Sequence, residues 1–207
     1  NQIMNIATLL QYARDHFNDS KAGNALEYLI AQICSKINSR EGLWIPPKDQ
    51  YTSQEISVKV QFAYHLYVIL CNEGEKILYP EKLLKWVLST QNKLGGFGIS
   101  LNSSACEDID SIYLLVKLYK MGLAEEKIYA ALKRAFLWSF ANWNSDGGFV
   151  FRRNEIFCYG HQNMTSIINE SNLFATWFRL QSLAYLSQVL NIGDFDLSAY
   201  GKKCWLA

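Results

Sequence analysis

Residues 90–120, TQNKLGGFGISLNSSACEDIDSIYLLVKLYK, carry the end of one predicted helix, a glycine turn, a polar loop and a second helix. The turn lies at residues 95–98 (GGFG), because adjacent glycines disfavour a helix and permit positive φ. Residues 106–111 (CEDIDS) are typical of a helix N-terminus, where acidic and hydroxyl side chains satisfy free N–H groups. Residues 112–119 are apolar except for Lys117. This pattern predicts a buried helix that opens with carboxylates.

The same arrangement recurs along the chain. Trp44, Phe97 and Phe149 each follow a glycine turn and are 53 and 52 residues apart. Glu55 and Asp108 each lie 11 residues after the aromatic residue of their turn. Repetition at such a period predicts stacked helical hairpins, with half-exposed outer helices and buried inner ones. We expect repeats at roughly residues 22–72, 80–121 and 124–190 within one domain, residues 1–207.

Hydrophobic spacing predicts seven helices and no strands. They are expected at residues 1–17, 22–37, 54–71, 80–91, 106–120, 124–143 and 170–190, and residues 194–207 are left unassigned. The predicted fold class is therefore all-α, an α/α toroid or partial toroid of hairpin repeats.

Composition excludes several classes of protein. The 207 residues are 50% hydrophobic and 19% charged, with a net charge of +1 and no basic block, so we expect no nucleic-acid partner. No apolar run is long enough to span a bilayer, so no transmembrane segment is predicted. Five cysteines without a CxxC pair favour a reducing compartment. We expect a cytoplasmic protein, with a membrane-peripheral location as the alternative.

A helix ending in Gln, followed by x-x-Gly-Gly-Phe/Trp near every 50 residues, resembles the repeat of the prenyltransferase and squalene-hopene cyclase superfamily. Residues 91–98 (QNKLGGFG) and 144–149 (NSDGGF) carry the resemblance, which covers roughly residues 22–190. It implies a toroid that handles isoprenoids. Class II terpene cyclases of this superfamily carry D-x-D-D on an inner helix, and residues 108–111 (DIDS) are similar, with Ser111 in place of the last Asp.

The resemblance implies that Asp110 is the proton donor for cyclisation of a polyprenyl substrate, with Asp108 and Glu107 beside it. A proton donor must be neutral, whereas a helix N-terminus favours the ionised form. Burial or neighbouring carboxylates would have to raise the pKa of Asp110 again. The alternative is that these carboxylates only cap the helix, and the sequence leaves both interpretations open.

Other residues have a functional and an ordinary interpretation too. Arg152 and Arg153 are suited to holding a diphosphate, or form a solvated pair on a loop. Tyr113 and Trp177 belong to the aromatic residues of the inner helices, which either line an apolar cavity and stabilise carbocations or simply fill a core. The other members of that aromatic set are Tyr64, Tyr67, Tyr119 and Phe178.

Metal binding is the alternative to a cofactor-free protein. The resemblance to protein prenyltransferases suggests a zinc site, and Cys158-x-x-His161 is the short-range Cys/His pair that would supply two ligands, with Asp108 or Asp110 as a third. Magnesium is the second metal considered. An ordinary loop cysteine and histidine is the simpler explanation.

Two functions follow from these patterns. The first is a terpene cyclase or prenyltransferase-like enzyme with an apolar, isoprenoid-like substrate and an apolar cavity at Asp110. The second is a non-catalytic toroid segment that serves as a binding or assembly module. A closed ring needs more hairpins than the three seen here, so we expect a homo-oligomer, a complementary chain segment or a longer parent chain.

Overall fold

The computed structural model describes residues 2–192 and is built of helices joined by short turns and one longer loop. The helices are α1 (Gln2–Phe17), α2 (Ser20–Ser35), α3 (Ser53–Asn72), α4 (Pro80–Ser89), α5 (Ala105–Lys120), α6 (Glu125–Ala141) and α7 (Leu173–Ser187). The predicted all-α fold and the seven helices are confirmed for the described part. Asn1 and the unassigned residues 194–207 lie outside it.

Most of the predicted helix ends differ from the observed ones by one to three residues, and side-chain caps explain the starts of α2 and α7. Asp19 accepts hydrogen bonds from the N–H groups of Lys21 and Ala22, so α2 begins before the predicted Ala22. Asn172 is extended and accepts from the N–H of Ala175, so α7 begins after the predicted Glu170.

The buried helix predicted from residues 112–119 is α5, which lies at the centre of the molecule. It packs against α3, α4, α6 and α7, and twelve of its sixteen residues are buried. Helices α4 and α6 pack against the inner helices α5 and α7 of their own hairpins. Helix α5 is thus buried as predicted for an inner helix, whereas α7 has only five buried residues of fifteen and exposes Leu173, Trp177 and Leu180, so the predicted burial does not hold for every inner helix.

The three turns share one backbone hydrogen bond, which supports their equivalence. In each, an asparagine N–H donates to the carbonyl of the residue just before the aromatic residue, at 2.8–2.9 Å. The donor and acceptor pairs are Asn38 with Leu43, Asn92 with Gly96, and Asn144 with Gly148. The Gln91 amide also ties its turn to α6, donating to the carbonyls of Gly95 and Ala131 at 2.9 and 2.8 Å.

The inner helices α3 and α5 begin with the same reciprocal cap, and this sets their register. Thr52 caps with Glu55, and Ser104 caps with Glu107. Glu55 therefore corresponds to Glu107 rather than to Asp108, one residue away from the match that equal spacing predicts. The loop from the aromatic residue to the N-cap is one residue longer before α3, with eight positions from Trp44 to Thr52 against seven from Phe97 to Ser104, which accounts for the shift.

Two features complete the described part. A two-residue antiparallel ribbon joins β1 (Phe157–Cys158) to β2 (Thr165–Ser166), where no strand was predicted. Segments this short show no alternating pattern in the sequence. No helix in residues 2–192 is long and apolar enough to cross a membrane.

Candidate functional site

The carboxylates of the candidate site lie at the start of α5, where Ser104 and Glu107 fix the first turn. The hydroxyl of Ser104 accepts from the N–H of Glu107 at 3.2 Å, and the carboxylate of Glu107 accepts from the N–H of Ser104 at 2.8 Å. Arg152 also donates to Glu107, at 2.9 Å. Glu107 thus caps the helix and joins it to the loop after the third turn.

Asp108 is fully engaged in the core. Its Oδ1 accepts from the N–H of Phe97 and the hydroxyl of Ser103, both at 2.8 Å. Its Oδ2 accepts from Trp138 Nε1 at 2.9 Å and from Arg179 Nη1. A carboxylate with four donors is satisfied without a ligand.

The bond from Phe97 to Asp108 has a counterpart in the third repeat. There the N–H of Phe149 donates to the hydroxyl of Thr176 at 2.9 Å. Thr176 lies four residues after its N-cap, as Asp108 does after Ser104. Asp108 therefore occupies a position that attaches the aromatic turn to the inner helix, which is a structural role.

Arg179 is a member of this site that the sequence patterns did not identify. Its side chain is fully buried, and Nη2 also lies 3.4 Å from the carbonyls of Ser103 and Phe151. The signal was present, since Arg179 is the single charged residue of α7. A cation in so apolar a helix requires a buried anion.

Asp110 differs from its neighbours, because it has no hydrogen-bond or ion-pair partner among the described residues. It is 3% exposed, and no donor within residues 2–192 reaches its carboxyl group. Burial above all, and then the charges of Glu107 and Asp108, raise the pKa of Asp110 well above its ordinary value. Asp110 lies in the second turn of α5, beyond the residues on which the helix dipole acts most strongly. The environment favours the neutral acid.

The residues one turn away from Asp110 on its side of α5 are Cys106 and Tyr113. Burial first, and the charges of Asp110 and Glu107 next, raise the pKa of the Cys106 thiol. The ring of Tyr113 contacts Tyr64 of α3 and Tyr185 of α7, each at 5.2 Å between centroids. Aromatic side chains from all three inner helices therefore meet at Tyr113, one helical turn from Asp110.

A second unpaired polar group lies at the same level between α5 and α7. Asp108 bonds to Arg179 and Tyr113 contacts Tyr185, so the two helices run parallel and these pairs bracket Asp110 and Gln181. Gln181 Oε1 is buried without a hydrogen-bond partner. Asp110, whose raised pKa favours the protonated form, and the unsatisfied Gln181 Oε1 thus lie at the same level along the two helices.

The predicted diphosphate-binding arginines have separate protein partners. Arg152 Nη2 pairs with Glu107, and Arg152 Nη1 lies 3.8 Å from Glu155 Oε2. Arg153 donates to Asn144 Oδ1 at 2.7 Å and to the carbonyls of Trp143 and Ala141. Arg153 therefore holds its loop against the third turn, and the two guanidinium groups do not converge on one point.

Trp177 and the Cys158–His161 pair lie at the surface. Trp177 is 39% exposed on α7, with its ring against Phe178. Cys158 is exposed, 3.9 Å from the carbonyl of His161, and His161 Nδ1 accepts from the N–H of Asn163. No group of three or more His, Cys, Asp or Glu side chains in residues 2–192 is placed to hold a metal ion.

Comparison of the chain with models of protein families, with functionally curated proteins and with solved structures gives no significant match.

Proposed function

We propose that this chain is a partial α/α toroid related to the terpene cyclases and prenyltransferases, and that Asp110 donates a proton to an apolar, isoprenoid-like substrate. The observation that carries the proposal is the state of Asp110, a buried and unpaired carboxyl group with a raised pKa. A general acid must hold its proton at working pH, and this surrounding favours that form.

The neighbours of Asp110 support the same chemistry. The rings of Tyr64, Tyr113 and Tyr185 cluster one helical turn from the acid, and aromatic faces attract a carbocation. Proton transfer to an alkene leaves a carboxylate and a cation, which stabilise each other strongly where water is excluded. Asp108, with its four donors, keeps the first turns of α5 in place and adds to the field that holds the proton on Asp110.

The proposed reaction requires no cofactor. The zinc alternative depends on Cys158 and His161, and magnesium would need carboxylates that Asp108 and Glu107 have already committed to protein donors. The four cysteines of the described part are free thiols, which fits the proposed cytoplasmic location.

The test is product formation. The purified chain is incubated with squalene and with geranylgeranyl diphosphate, and products are analysed by mass spectrometry in water and in D₂O. We expect a cyclised product that carries one solvent deuteron, and its loss in Asp110→Asn. The matched control is Asp49→Asn, which makes the same change at an exposed position. Product formation that survives Asp110→Asn would refute the role of Asp110.

A second function, an assembly module, is favoured by exposed apolar side chains at both ends of the helix array. On α7, Leu173, Trp177 and Leu180 follow helical spacing and are 89%, 39% and 42% exposed. On α1, Ile6 and Leu9 are 53% and 67% exposed. Repeat arrays need a cap or a partner over such faces. The candidate partners are another copy of the chain or a complementary segment.

Sedimentation velocity separates this module from a monomeric enzyme. An assembly module should self-associate, and Leu180→Glu should shift it towards monomer because a charge then sits in the contact. Leu94→Glu, at a 51% exposed turn position, is the control and should leave the distribution unchanged. An unsubstituted protein that stays monomeric at all concentrations would count against self-assembly.

A further inference from the structure

The first hairpin differs from the other two in how its helices pack. Helix α4 packs against α5 and α6 against α7, but α2 has its main contact with α1 rather than with α3. The connection from α2 to α3 contains Pro46 and Pro47, which lack N–H groups and restrict the backbone. The two helices of this hairpin are therefore separated by an open groove.

The groove has a volume of about 760 Å³, within the range of about 300–1,000 Å³ that is typical of small-molecule sites. Its walls are mainly apolar and include Leu29, Ile37, Pro47 and Phe62. Asp110 is not among its lining residues, so the groove is separate from the site described above.

Two ammonium groups border this apolar groove. Lys36 is the C-cap of α2 and Lys59 belongs to α3, so they approach from opposite walls. Neither forms an ion pair with a carboxylate in the described part of the chain. Lys59 Nζ instead lies 5.5 Å from the centroid of the Phe62 ring. Cations without a counter-ion next to apolar walls complement a ligand with an anionic head and an apolar chain.

We propose that the groove between α2 and α3 binds a monomeric single-chain anionic amphiphile, with its head between Lys36 and Lys59 and its chain along the apolar walls. A small groove between two helices fits the apolar chain of one amphiphile better than it fits a flat bilayer surface. The proposal does not rest on the proposed function at Asp110.

The probe is cis-parinarate, a fluorescent single-chain carboxylate, titrated below its micelle concentration. We expect saturable binding, with the uncharged methyl ester binding roughly tenfold more weakly. Lys36→Gln/Lys59→Gln should weaken parinarate binding by about tenfold, since each partly exposed ion pair contributes a few-fold. Lys85→Gln/Lys127→Gln removes the same charge from exposed positions outside the groove and should have no effect.

A second variant tests the apolar walls. Gln32 lines the groove at an exposed position of α2, so Gln32→Trp should fill the groove without disturbing the core and abolish binding. Asp110→Asn should bind parinarate as the parent does. Absence of saturable binding would overturn the proposal, as would affinity unchanged in both groove variants. Lysine-dependent co-sedimentation with phosphatidylglycerol vesicles, without binding of monomeric parinarate, would also overturn it and indicate a membrane-docking surface.

Discussion

The carboxylate of Asp108 and the guanidinium of Arg179 form an ion pair in the core, although they are 71 positions apart in the chain. Their side chains are 1% and 0% exposed. The pair joins the start of α5 to the middle of α7, and Trp138 adds α6 through the same carboxylate. Helices α5, α6 and α7 are therefore linked through the buried carboxylate of Asp108.

Arg179→Met should destabilise the protein by about 3–5 kcal/mol, because it leaves Asp108 buried without its counter-ion. Urea unfolding followed by circular dichroism measures the loss. Lys48→Met is the control, since Lys48 and Glu55 pair at the surface with 45% and 42% of their side chains exposed. That control should cost less than about 1 kcal/mol. Equal losses in the free energy of unfolding would show that the buried pair stabilises the protein no more than the exposed pair does.

Gly96→Ala tests the close packing of the central turn. A Cβ at Gly96 would overlap Ser103 Oγ and lie 2.5 Å from Trp138 Nε1, and both of those groups donate to Asp108. We expect a loss of at least about 1–3 kcal/mol. Gly23→Ala in α2 meets only ordinary contacts at 3.6 Å and should gain about 0.5–1 kcal/mol. The melting temperatures of the two variants should shift in opposite directions. An unchanged melting temperature in Gly96→Ala would contradict the packing described.

Asp110 should make stability depend on pH in a direction opposite to that of most carboxylates. Its pKa is raised in the folded protein, so the unfolded chain binds fewer protons than the folded one above a pH of about 3.9. Its contribution is fully present below that pH and is lost as pH rises towards the raised folded pKa. Asp110→Asn removes this dependence.

The difference in melting temperature between Asp110→Asn and the parent should therefore grow in favour of the variant as pH increases from 4 to 8. Carboxylates that both proteins share, such as Glu73, cancel in this difference. A difference that is constant across the range would mean that Asp110 titrates normally.

Metal analysis tests the Cys158–His161 alternative. If Cys158 and His161 bind zinc, the dialysed protein should retain near one equivalent of the metal, and Cys158→Ser should lose it. Zinc at background levels in the parent protein would end this alternative.

The helices and the repeat could be predicted because their signals are local. Apolar spacing marks α5 as buried, and the glycine turns recur at nearly equal distances. The starts of α3 and α5 follow from reciprocal caps that lie within four residues of sequence. The predicted register between repeats is wrong by one residue, because the loop from Trp44 to Thr52 is one residue longer than the loop from Phe97 to Ser104.

The roles of the site residues could not be read with the same certainty, because they depend on contacts between distant parts of the chain. Glu107, Asp108 and Asp110 lie within four positions of one another, yet their roles differ. Glu107 caps α5, Asp108 anchors the aromatic turn to α5, and Asp110 has no partner among the described residues. Only the tertiary arrangement assigns donors to the first two. Arg179 was the clue that sequence alone offered, as a lone cation in an apolar helix.

Whether Asp110 carries a proton at neutral pH tests its proposed role as the proton donor. Difference infrared spectroscopy between the parent and Asp110→Asn at neutral pH isolates this one carboxyl group, and the spectrum is repeated in D₂O. We expect a protonated carboxyl C=O band in the parent that is absent from the variant and shifts in D₂O. An ionised carboxylate band at neutral pH would contradict that role.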